Sequence, residues 1–262
     1  MYSVDTYELN ETTISPVREA INNARRICFI TGAGVSVSAG IPDFQSTDNT
    51  WKWDIPRVEA VSIQYFKEDP ESFWRIYADT FDLKSSTDIV PTDFHYWLSD
   101  LGIKHGKSVS IITQNVDGLH SMANSQNVIE LHGSVRNLKC LSKKCRYIYD
   151  YAKFPYTDKA PRCPVCQGVL RPDVVLFGEA PHDWKRAETE VMNADVLITV
   201  GTSLNVAPLN TLPYEKSIRY PQDYQFYISK NVIPSDLKEY SFDGVFEGSA
   251  DNFAHLLSEL TK

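Results

Sequence analysis

Four cysteines of the 262-residue chain fall in two close pairs: Cys140 and Cys145 with four residues between them, then Cys163 and Cys166 with two. Four thiolates in this pattern supply the tetrahedral all-sulfur shell of a structural zinc ion. A closed shell leaves no open coordination position, so such an ion holds a fold together and does no chemistry. Unrelated free cysteines would rarely crowd four of five into 27 residues. The fifth, Cys28, stands inside an apolar run and reads as a small buried residue.

A second group of residues lies where apolar runs end. ICFIT (27–31) leads into Gly32-Ala33-Gly34, and VSIIT (109–113) into Gln114-Asn115-Val116-Asp117-Gly118. Val128–Leu131 leads into His132-Gly133-Ser134, and Val196–Val200 into Gly201-Thr202-Ser203. Glycines at a strand-to-helix turn let the backbone approach a pyrophosphate, and the N–H groups opening the next helix receive its charge. Alone, Gly32–Gly34 fits an ordinary turn equally well, because the third dinucleotide glycine position holds Val37. The similar turn at 201–203 favours a dinucleotide. In an open α/β sheet the strand C-terminal ends form the ligand crevice, which places Gln114, Asn115 and Asp117 in it. An Asp-Gly turn explains Asp117-Gly118 but not the preceding Gln-Asn pair. His132, at a strand end and followed by glycine, is a candidate general base, although a lone histidine is more often a packed or surface residue.

These residues need an alternation of buried strands and helices to bring them together. The strands above, with Val174–Phe177 and Phe226–Ile228, alternate with helical segments at 14–26, 56–84, 91–101, 182–193 and 251–261. Ser15 and Pro16 open the first helix as cap and first-turn proline. Residues 41–53 are turn-rich, and 137–171 break the alternation with the four cysteines. An open parallel α/β sheet interrupted by a small cysteine-bearing insertion is the expected fold. Lys plus Arg number 26 against 34 Asp plus Glu, a net charge of −8 that repels phosphate backbones. No run approaches the ~20 apolar residues of a membrane span, and the acidic N-terminus lacks a signal-peptide pattern. A cytoplasmic protein with reduced cysteines, and without nucleic-acid or membrane partners, is the expectation.

Taken together, GAGVSVSAGIPDF (32–44), TQNVDGLH (113–120), LHGS (131–134), RPDVVLFGE (171–179), GTSLNVAP (201–208) and the cysteine pairs resemble the sirtuins, NAD-dependent protein-lysine deacylases. The resemblance implies a Rossmann-like part over about 14–136 and 172–262, with a zinc-ribbon insertion over about 137–171. It implies that Gly32, Ala33 and Gly34 cradle the NAD pyrophosphate, and that Gly201, Thr202 and Ser203 line the phosphate side. Ile41, Asp43, Phe44 and Gln45 belong to the cofactor loop, Ile41 and Phe44 walling the nicotinamide pocket. Asp117 would hold the carboxamide, Gln114 and Asn115 the nicotinamide ribose, and Asn231 and Ala250 the adenosine. Val174, Val175, Phe177, Gly178 and Glu179 would pair with an acyl-lysine peptide as an added strand. In that family the acyl oxygen attacks the ribosyl cation left by nicotinamide, and a histidine, here His132, deprotonates a ribose hydroxyl; the catalytic set is His132, Asn115 and Asp117. The products are free lysine, nicotinamide and O-acyl-ADP-ribose. Gln45 stands where the family carries arginine, which removes a charged forked donor. An ADP-ribosyltransferase or NAD glycohydrolase is the alternative that this change suggests. Tyr77 and Thr80 occupy the Tyr-x-x-Arg positions of succinyl-preferring members, and without the arginine a neutral acyl group is favoured.

Overall fold

The computed structural model describes residues 5–41, 53–80, 89–104, 106–142, 145, 147–153, 157 and 159–261. Seven strands form one all-parallel sheet: β1 (Thr6–Glu8), β2 (Arg26–Thr31), β3 (Ser108–Thr113), β4 (Val128–Glu130), β8 (Val196–Val200), β9 (Tyr224–Ser229) and β10 (Gly244–Glu247). Their order is β1-β10-β9-β8-β2-β3-β4. Read from β4 to β10, this is the doubly wound order 3-2-1-4-5-6, whose direction reverses between β2 and β8. Register makes the crevice: Thr31 pairs with both Thr113 and Val200, and Thr113 with Glu130. Four strands therefore finish nearly level, and the residues after them emerge side by side.

The central strands are apolar throughout because both faces are covered. Ile27 and Phe29 face a layer with Val17 and Ile21 of α1 (Ser15–Asn23), Phe94 and Trp97 of α5 (Asp93–Lys104), and Phe253 of α9 (Ala250–Leu256). Cys28 and Ile30 face the opposite layer, with Val191 of α7 (Trp184–Asn193) and Leu212 of α8 (Thr211–Arg219). Among the described residues no helix is long and apolar enough to cross a membrane.

A second lobe is built on an antiparallel sheet of β5 (Gly133–Cys140), β6 (Ile148–Asp150) and β7 (Leu170–Val174), in the order β6-β5-β7. It shares one apolar core with α2 (Arg57–Ala60), α3 (Ile63–Glu68) and α4 (Pro70–Thr80), where Phe66, Phe73, Trp74 and Tyr77 meet Leu138 and Leu170. The Trp74 indole N–H donates to the Leu170 carbonyl at 2.8 Å.

Four features depart from the sequence reading. Ser15, expected as the cap of the first helix, is its first helical residue; Ile14 holds the cap position, and the Ser15 hydroxyl turns back to the Thr12 carbonyl. The helix expected over 56–84, whose residues 81–84 lie outside the described ones, is three short helices up to Thr80: Ser62 caps α3 by accepting from the Tyr65 amide at 3.1 Å, and Pro70 cannot continue α3, so it opens α4. The strand expected at Val174–Phe177 does not join the parallel sheet. Leu170–Val174 pairs antiparallel with β5, and Phe177 makes a single bridge to Ser62. Finally β1, α8 and β10 carry little signal, α8 because Pro213 reads as a breaker although it sits harmlessly in the first helical turn.

Candidate active site

The two glycine turns at the direction reversal pack against each other. The Gly32 amide donates to the Val200 carbonyl at 3.2 Å and the Gly34 amide to the Gly201 carbonyl at 2.8 Å. A Cβ on Gly32 would lie 2.6 Å from Thr202 Cβ, and one on Gly34 2.7 Å from Gly201 Cα. Turn-on-turn packing thus requires both glycines. It also commits their amides, so the donor that Gly32–Gly34 retains for an anion, among the described residues, is the Ala33 N–H. Ser203 is half-buried beside this floor, and Thr202 Oγ1 donates to Gln114 Oε1 at 2.8 Å.

Ser36, which the sequence reading did not single out, is the hub of the next layer. Its fully buried hydroxyl donates to Asp117 Oδ2 at 2.8 Å and accepts from Asn115 Nδ2 at 3.2 Å. Asn115 Nδ2 also donates to the Gly32 carbonyl at 3.0 Å. With its amide protons spent, Asn115 has Oδ1 left to accept from a ligand hydroxyl. Asp117 accepts from the Leu119 amide at 2.9 Å, opening α6 (Leu119–Met122), and keeps lone pairs for an amide donor. Behind this layer, His120 Nε2 lies 3.0 Å from Thr31 Oγ1, and its ring packs on His95 at 4.5 Å. Burial pushes His95 down to about 4 and His120 well below the usual imidazole range, so both support the turn as neutral rings. Their spacing in sequence carries no signal of this pairing.

His132 follows β4. Its Nδ1 is 3.0 Å from the Gln114 carbonyl, which can only accept. The proton therefore sits on Nδ1, and the Nε2 lone pair is free to act as a base. Gly133, at φ +74°, needs its missing side chain: a Cβ would lie 2.0 Å from the Asp173 carbonyl oxygen. Burial lowers the His132 pKa below the ordinary 6.5; the Gln114 carbonyl opposes this and nearby His182 adds to it. A lowered value enlarges the neutral, proton-accepting fraction at pH 7. If His132 is the general base, the acid limb of the pH–rate profile should accordingly lie below pH 6.5. A pH–rate profile already falling at pH 7 would contradict this.

The segment after β7 is pinned on several sides. The Val175 amide donates to the His132 carbonyl at 2.8 Å, the Phe177 amide to the Val61 carbonyl at 3.2 Å, and the Phe177 carbonyl accepts from Ile63 at 3.1 Å. Arg171, 1% exposed, makes a fork to Glu179 at 2.6 and 2.8 Å and also donates to the Pro172 carbonyl. Glu179 accepts in addition from the Leu176 amide at 2.9 Å. Burial opposes ionisation of Glu179, but Arg171 and the Leu176 amide together outweigh it and hold the carboxyl below its usual range. Glu179 thus shapes the loop. Val174 is buried in β7, whereas the Val175 carbonyl and Gly178, at φ +92°, keep backbone groups for a pairing strand among the described residues. The Phe177 ring is 42% exposed beside them.

Other expected contacts are peripheral. Ile41 is half-buried after the 3-10 turns Ala33–Val35 and Val37–Ala39. Asp43, Phe44 and Gln45 lie outside the described residues. Asn231, exposed, follows β9, and buried Ala250 opens α9 just after β10. Both stand at the same end of the sheet as Gly201.

In the second lobe the four Sγ atoms of Cys140, Cys145, Cys163 and Cys166 lie within 4.8 Å of one another, Cys140 and Cys166 at 3.5 Å. Tetrahedral zinc with Zn–S bonds of about 2.3 Å needs sulfurs roughly 3.8 Å apart, and the cluster fits it. The knuckle at the second pair is closed by the Gln167 amide donating to the Cys163 carbonyl at 2.8 Å, with Gln167 at φ +59°.

Residues 32–208 match the model of the Sir2 family. The chain is 41% identical over 205 residues to an NAD-dependent protein deacetylase of Chromobacterium violaceum, covering 78% of this chain and 82% of that protein. Among solved structures it resembles a Sir2 homologue in complex with NAD (TM-score 0.83, 31% identity, 98% of this chain and 96% of that one). It also resembles Sir2 bound to an acetylated peptide (TM-score 0.76, 27% identity, 94% and 97%).

Proposed function

The chain belongs to the Sir2 family, and from that premise we propose that it removes acetyl or another neutral acyl group from protein lysines at the expense of NAD. Nicotinamide and O-acyl-ADP-ribose are the other products. The observation that carries this reading is the placement of His132: one carbonyl, that of Gln114, fixes its tautomer, and the next residues of the same loop present the Asn115 Oδ1 and the Asp117 carboxylate.

When bound, NAD supplies an electrophilic ribose carbon with nicotinamide as its leaving group. The Ala33 amide and Ser203 receive the pyrophosphate, and Asp117 accepts from the carboxamide. Asn115 and Gln114 hold ribose hydroxyls, with Gln114 itself oriented by Thr202. Ile41 contributes apolar surface that keeps water from the reacting carbon. His132 Nε2 takes the proton of a ribose hydroxyl. The peptide lies along Val175–Gly178, anchored through the Val175 carbonyl and the Gly178 backbone.

A neutral acyl chain is supported by α4. Tyr77 is 1% exposed within the core, the Thr80 hydroxyl turns back to the Ile76 carbonyl, and Arg75 lies over the Trp53 ring. The two positions of the Tyr-x-x-Arg pair thus offer a substrate carboxylate no cation. A net charge of −8 favours protein partners over nucleic acid, and a reducing cytoplasm suits four zinc-binding thiols.

The test is incubation with NAD and an acetyl-lysine peptide, followed by mass spectrometry for O-acetyl-ADP-ribose. Nicotinamide release with no deacetylation would replace this reading with NAD cleavage or ADP-ribosyl transfer, the outcome that Gln45 would favour.

A further inference from the structure

We propose that Tyr149 is an outer-sphere partner of the zinc site, its phenol donating to the Cys163 thiolate and slowing loss of the metal. Tyr149 Oη lies 3.3 Å from Cys163 Sγ. A sulfur bound to zinc carries no proton, so the phenol is the donor of this pair. The placement follows from the sheet: Tyr149 in β6 is in register with Leu138 in β5, two residues before Cys140, which sets the phenol over the cluster.

Four thiolates around one divalent cation leave a net charge of −2, and Cys163 has no exposed surface through which water could hydrogen-bond to it. Its sulfur therefore depends on protein donors. The knuckle backbone at Val165 and Cys166 favours its thiolate form, and Tyr149 supplies a side-chain donor. Each hydrogen bond withdraws charge from the sulfur and makes it a poorer target for the proton or electrophile that must displace zinc. Phenylalanine would fill the same space against the lobe's core; only the hydroxyl does the rest.

Zinc-loaded Tyr149→Phe protein should transfer its metal to excess 4-(2-pyridylazo)resorcinol about tenfold faster than wild type, the lower end of the usual outer-shell effect. Tyr147→Phe, which alters an exposed ring 6.2 Å from Tyr149, is the control and should release zinc at the wild-type rate. The thermal midpoint of the zinc-loaded Tyr149→Phe protein should fall, and the difference from wild type should vanish once both are stripped of metal. Wild-type zinc release from Tyr149→Phe, equal acceleration in Tyr147→Phe, or a midpoint difference that persists without metal would each overturn the assignment. None of these readouts depends on deacylation, so they stand apart from the proposed reaction.

Discussion

His132→Ala should lower peptide deacetylation by about 100-fold or more while NAD and peptide still bind. The imidazole contributes its Nε2 lone pair and little to the shape of the floor, because among the described residues the Gln114 carbonyl is its hydrogen-bond partner. The anchor that His132 gives the peptide segment is its backbone carbonyl, which accepts from Val175, and alanine keeps that bond. Gly133 retains its left-handed turn as well. The loss should therefore appear in kcat, with binding constants for NAD and peptide close to wild type by calorimetry. A variant that keeps more than a tenth of the wild-type rate would remove His132 from the role of base.

Cys163→Ser should release zinc and loosen the whole second lobe. Serine is a far weaker zinc ligand than a thiolate, and structural zinc contributes folding free energy directly, about 10–16 kcal/mol at pH 7 in small zinc-finger peptides. Here the module also has an apolar core, so a loss of about 5 kcal/mol is a reasonable scale. The effect should spread beyond the cysteines, because α2, α3 and α4 bury Phe66, Phe73 and Trp74 against the same β-sheet. Elemental analysis should give one zinc per wild-type chain and almost none in the variant, with a lowered first thermal transition. Wild-type protein without stoichiometric zinc would end this reading.

The residues proposed to do chemistry were easier to read from the sequence than the groups that hold them. Gln114, Asn115, Asp117 and His132 follow buried apolar runs, and the ends of such runs mark one side of a parallel sheet. The cysteine spacing named its own geometry. Ser36 stayed hidden because a serine after a glycine turn looks like any loop serine; its role exists only once β2 and β3 bring residues 36 and 117 together. The glycines of 32–34 were assigned to a phosphate, whereas their closest constraint is Gly201 and Thr202, far along the chain. Glu179 reads as part of a peptide-binding motif, yet its carboxylate belongs to Arg171, a pairing that no periodicity announces. The second lobe was underestimated for a related reason. The helices at 57–80 lie between β2 and β3 in sequence, but their apolar faces belong to the cysteine-bearing sheet.

The parallel sheet ends on both sides in three-residue strands, β1 with sequence TYE and β4 with VIE. A long apolar strand such as VLITV on the rim would offer a row of unpaired amides and carbonyls to any neighbouring molecule. Here those strands are interior, and each rim is short and finishes in a glutamate, Glu8 or Glu130. Joining another sheet there would gain few hydrogen bonds, and at the β1 rim exposed Glu8 would set like charges against each other. The sheet order that builds the crevice thus also acts against fibre-like stacking, a property of crowded solutions that no catalytic assay would reveal.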